Sequence, residues 1–75
     1  MTHQEFAQEV LKEWNLEPGQ MKQSCWCQWY HYTIPNPDAE IAKNRIIGEY
    51  TMRNGKDVFV LYKKDGTEQA WEADR

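Results

Sequence analysis

"RIIGEYTMRNGKDVFVLY", Arg45 to Tyr62, decides the fold. Two runs rich in β-branched and aromatic residues flank Asn54-Gly55, the strongest short-range signal for a β-hairpin, because both residues tolerate the positive φ of a tight turn. A two-residue turn pairs Arg53 with Lys56 and Tyr50 with Phe59. Ile46, Tyr50, Met52, Phe59 and Leu61 then share one face, which is the expected core. Downstream, "KKDGT" (Lys63 to Thr67) offers two registers. An Asp65-Gly66 loop would set Trp71 opposite Val60, off the core face. A three-residue Lys64-Asp65-Gly66 loop, with Gly66 left-handed in a bulge, sets Trp71 opposite Phe59. The second is expected, since it gathers Trp71 with Tyr50, Phe59 and Leu61 and leaves Glu68 and Glu72 outward with Glu49 and Thr51.

Upstream, Pro35-Asn36-Pro37 interrupts regular structure, and Asp38 is placed to cap a short helical connector through "AEIAK". Before it, Ser24 to Ile34 has the residue types of a strand. One face carries Trp26, Gln28, Tyr30, Tyr32 and Ile34, the other Cys25, Cys27, Trp29, His31 and Thr33. Both are partly apolar, so the strand is either covered twice or covered once and used for binding. At the N-terminal end, Thr2 and Glu5 form a capping-box pattern. Phe6, Ala7, Val10, Leu11 and Trp14 then recur on one helical face, Asn15 is placed to close the helix, and Pro18-Gly19 forbids its continuation. The expected fold is α+β, a single domain over residues 1–75. Its N-terminal helix packs on a four-stranded, largely antiparallel sheet, with the helical connector after the first strand. Gly48 alone among the four glycines has no turn or helix end to explain it, and marks a bulge or a close approach to the sheet.

Composition agrees with a small aromatic core. Val, Ile and Leu total ten, and so do Trp, Tyr and Phe; each aromatic ring buries about 150 to 250 Å². The opening residues lack a basic start and an apolar run, and no stretch approaches the length of a bilayer span, so a cytoplasmic location is expected. Cys25 and Cys27, two apart on a strand, place their Cα atoms about 6.5 to 7 Å from one another, near the limit for a disulfide, and read as free thiols.

Candidate chemistry is thin. Cys25, Cys27 and His31 include zinc-ligand types, but His31 lies about 13 Å beyond Cys27 along a strand, far outside a shared coordination shell. A Cys–His nucleophile lacks an oxyanion turn, and the isolated glycines make no phosphate loop. No enzyme activity, metal or cofactor is therefore expected. Charge is more informative. The net charge of −3 divides into an acidic front (−4 over residues 1–42), a basic middle (+4 over residues 43–64) and an acidic end (−3 over residues 65–75). A basic block between acidic ones reads as internal complementarity. Glu5, Glu9 and Glu13 form an acidic row at i, i+4 steps, a self-repelling arrangement suited to a basic partner surface.

These features lead to the expectation of a non-enzymatic protein-binding module, a small inhibitor or adaptor of a larger protein with a basic patch. Glu5, Glu9 and Glu13 would supply charge, and a ring from the Trp26, Tyr30, Tyr32 face would supply the anchor. In size and charge, though in no motif, such a chain is similar to phage-encoded counter-defence proteins such as anti-CRISPR inhibitors. The alternatives are a single-stranded nucleic-acid binder or a small-molecule binder using the aromatic strand. An open sheet edge also allows pairing with a second copy. Negative net charge opposes the nucleic-acid reading.

Overall fold

The computed structural model describes residues 1–24, 29–34 and 43–74, with side chains withheld at 32–34 and 43–44. Helix α1 (His3–Trp14) is followed by a 3₁₀ turn (Pro18–Gln20) and five strands. These are β1 (Met21–Gln23), β2 (Trp29–Ile34), β3 (Lys43–Arg53), β4 (Lys56–Tyr62) and β5 (Glu68–Glu72), paired antiparallel in chain order as one meander. The α+β class stands, with five strands in place of four. Of the expected Ser24–Ile34 strand, Trp29–Ile34 is β2 and residues 25–28 lie outside the described residues, while Met21–Gln23 pairs back on β2 as a short edge. Ser24 helps close this hairpin: its N–H donates to the Trp29 carbonyl at 2.9 Å, and its hydroxyl accepts from the Trp29 N–H at 3.2 Å. The expected helical connector falls on residues 35–42, outside the described residues, while Lys43, assigned to it from the sequence, opens β3.

The local signals act as their chemistry requires. Thr2 is extended, its hydroxyl accepts from the Glu5 N–H, and the Glu5 carboxylate accepts from the Thr2 N–H, both at 3.1 Å. Such a cap contributes about 1 kcal/mol by satisfying N–H groups that the helix itself cannot. Asn15 ends α1 in the left-handed region at φ 52°. Asn54 (φ 53°) and Gly55 (φ 75°) make the two-residue turn, and Tyr50 pairs with Phe59 as the spacing demands. Gly66 (φ 89°) lies in the three-residue loop closed by the Lys63 N–H to Thr67 carbonyl bond, and this sets Trp71 opposite Phe59.

Phe6, Val10 and Trp14 bury the apolar side of α1 against Tyr30, Ile47, Phe59 and Leu61. Phe6 is stacked on Phe59 with ring centroids 4.8 Å apart and meets Tyr30 edge-on at 5.0 Å. The expected core face needs two corrections. Tyr30 pairs with Gly48 but His31 pairs with Ile46, so Ile47 is the additional residue of a β-bulge. The bulge reverses the alternation: Ile47 turns inward and is fully buried, and Ile46 turns away and is 51% exposed. Met52 shares a face with Tyr50 yet stays 66% exposed. His3, the first helical residue, reaches Tyr50 and Phe59, and no turn of helix extends further to cover the next row.

Gly48 fulfils both meanings available to it. It adjoins the bulge, and a Cβ there would stand 2.9 Å from two carbons of the Phe6 ring. The absent side chain lets the ring lie directly on the sheet.

Candidate protein-binding face

The helix occupies one side of the sheet, so the other side is where a partner could approach the strands. Alternation assigns side chains to that side without ambiguity. Tyr30, Phe59 and Leu61 pack toward α1, so Trp29, His31, Val58 and Val60 point the opposite way. Gly48 and Tyr50 face α1, which places Glu49 between them on the helix-free side, paired across the strands with Trp29 and Val60.

This side has two unlike halves. Over β3 to β5 it is closed by charge. Arg53 bonds to Glu68 at 2.8 Å, and Lys56 to Glu72 at 2.9 Å. Arg53 and Glu68 flank the Val60 row from opposite ends, so their bridge lies across it, and Val60 is fully buried although it is not part of the helix-side core. Arg53 in turn holds the Glu68 carboxyl below its ordinary range, while loss of hydration, then the Glu49 and Glu68 carboxylates, push the Tyr62 phenol up. Over β2 and β3 apolar side chains are exposed around the Glu49 carboxylate: Trp29 remains 38% exposed, and Ile46 stands diagonally from it, opposite His31. The His31 Nδ1 atom is buried and has no hydrogen-bond partner among the described residues.

The residues singled out from the sequence separate. Tyr30 is fully buried against Phe6, with its hydroxyl 2.8 Å from His3 Nδ1, so it cannot be the exposed anchor. The face expected to carry that anchor is the one the helix covers. Trp26 lies outside the described residues, as does the Tyr32 side chain. The acidic row is partly used by the fold itself: Glu5 completes the N-cap, Glu13 accepts from the Lys64 N–H at 3.4 Å, and Glu9 lies beside Lys63 and Gln69 at the helix–hairpin junction. Among the described residues the exposed ring is Trp29, on the opposite face of the same strand. Its signal was present in the alternation but not distinguishable from that of Tyr30.

The basic block is consumed within the chain to a large extent. Arg45 lies over the Trp14 ring with its guanidinium carbon 4.8 Å from the centroid, Lys64 approaches the same ring at 5.8 Å, and Arg53 and Lys56 are paired with carboxylates. Among the described residues no group of three His, Cys, Asp or Glu side chains converges to hold a metal. None of the described helices is long and apolar enough to cross a membrane. Comparisons with protein-family models, curated proteins and solved structures returned no match.

Proposed function

We propose that this domain is a non-enzymatic protein-binding module, an inhibitor or adaptor that lays the β2–β3 part of its helix-free sheet face on a larger protein. The observation that carries the reading is the placement of Trp29 and Ile46. Two large apolar side chains are left 38% and 51% exposed on neighbouring positions of one face, in a chain that buries Phe6, Trp14, Tyr30 and Phe59 to build a small core. Aromatic residues of this kind anchor interfaces, and a standard interface of about 800 Å² per partner is roughly a seventh of the 5529 Å² surface. The charges beside them favour a protein over a nucleic acid: the helix-free face is balanced rather than basic, with Glu49, Glu68 and Glu72 against Lys22, Arg53 and Lys56, and Arg53 and Lys56 are already paired.

The test is site-specific photo-crosslinking from position 46, with position 52, more exposed and on the helix side, as the control. A partner identified through position 46 should bind Trp29→Ala and Ile46→Ser variants about tenfold or more weakly. Crosslinks from position 52 or from Glu9, with none from position 46, would refute the reading.

A further inference from the structure

We infer that the helix-free face receives an arginine side chain of the partner, held jointly by the Trp29 ring and the Glu49 carboxylate; this rests on the protein-binding reading above. Glu68 and Glu72 each have a cation within 4.0 Å, but among the described residues Glu49 has none. It is half-buried and paired directly across the strands with the exposed Trp29. Residues so paired hold their side chains about 4.5 to 5.5 Å apart at Cβ. A ring and a carboxylate at that separation offer two complementary surfaces to one planar cation. A guanidinium stacks on the ring and turns its N–H fork to the carboxylate, whereas an ammonium, a compact point charge, satisfies one more readily than both. Ile46 and Trp29 supply the apolar wall along which the methylene stem of an arginine would lie. The same chain already stacks a guanidinium on an indole ring, Arg45 over Trp14. Arg53 acts on Glu49 only through space, since the carboxylate it bonds to is that of Glu68. The unmatched carboxylate also repels phosphate, which selects a basic protein segment over a nucleic acid.

The experiment follows the backbone amide and indole N–H resonances of the full chain. The probes are a capped Gly-Arg-Gly-Arg-Gly peptide, its lysine and citrulline counterparts, and an oligothymidylate. The arginine peptide should shift Trp29, Glu49 and Val60, bind more tightly than the lysine peptide, and lose about tenfold or more in affinity in Glu49→Gln. The citrulline peptide, neutral and nearly isosteric, should not bind. Glu49→Gln is a surface change whose spectrum reports whether the fold is kept, and Trp29→Leu serves as the second variant. Equal binding of the citrulline peptide, unchanged affinity in both variants, shifts confined to the Glu5, Glu9, Glu13 side, or preference for the oligothymidylate would each overturn the inference. If the arginine peptide fails while position 46 still crosslinks a partner, arginine recognition falls and the binding face stands. If both fail, both fall.

Discussion

Replacing Gly48 with alanine adds one methyl group, and the structure says where that group must go. Its Cβ would sit 2.9 Å from Phe6 Cε1 and Cζ and 3.3 Å from Val10 Cγ2. Non-bonded carbons prefer about 3.5 to 4.0 Å, so the ring has to retreat by roughly 0.6 Å or more. It has little space to do so, being fully buried, stacked on Phe59 and held edge-on by Tyr30. An alanine in a strand would ordinarily gain about 0.5 to 1 kcal/mol over glycine from backbone entropy, while overpacking a tight core costs about 1 to 3 kcal/mol. The clash outweighs the gain, and a net loss of about 1 to 2 kcal/mol is expected, a drop of roughly 4 to 16 °C in the unfolding midpoint of a domain this size. Thermal or urea unfolding measures it directly. A second measurement identifies the cause: in a Phe6→Leu background the same substitution should cost distinctly less, because the smaller side chain leaves room. If Gly48→Ala stabilises the protein, or if its cost is the same in both backgrounds, the contact between Phe6 and the bare strand is not what fixes glycine there.

Gly66→Ala should destabilise by about 1 to 2 kcal/mol although nothing lies within 4 Å of the new Cβ, because the cost comes from φ +89° alone; Gly19→Ala, equally unobstructed and without a positive φ, should leave the unfolding midpoint nearly unchanged. The acid side of the stability profile follows from two exposed carboxyls. Asp65 is held below its ordinary range first by the Thr67 hydroxyl and then by the Thr67 N–H, and Glu68 by Arg53. Groups depressed in the folded state contribute above their unfolded pKa and lose that contribution as pH falls through the folded one, so stability should decline below about pH 4, and Thr67→Ala with Arg53→Gln should flatten this decline in urea unfolding measured from pH 2 to 7.

The hairpin and the helix were legible because short-range rules specify them. Asn54-Gly55 fixes Tyr50 opposite Phe59 with no reference to the rest of the chain, Thr2 and Glu5 satisfy each other's N–H groups, and Gly66 supplies the left-handed residue that places Trp71. Met21–Gln23 was not legible, because a three-residue edge strand is recruited by the unpaired backbone of β2 and needs no pattern of its own. The bulge at Ile47 was half legible: Gly48 announced an irregularity but not its phase, and that phase decides whether Ile46 or Ile47 is inside. The candidate site failed for a related reason. A strand apolar on both faces does not declare which face the helix will choose, and that choice buries Tyr30 and leaves Trp29 exposed. The acidic row was misread in another way, since the Lys64 N–H that engages Glu13 lies 51 residues away in sequence.

The chain-order meander gives the molecule an uneven timetable of assembly. Each strand pairs with the one made just before it, so the sheet can zip up through short loop closures, the kind of contact that forms quickly. The helix obeys a different schedule. It is synthesised before every strand, yet the Tyr62 carbonyl that receives the Trp14 indole N–H, at 2.9 Å, comes 48 residues later. At about 5 to 20 residues per second on the ribosome, Phe6, Val10 and Trp14 wait roughly 2 to 10 s for their cover. During that interval the apolar side of α1 stays without its cover, and it is then open to capture by a chaperone.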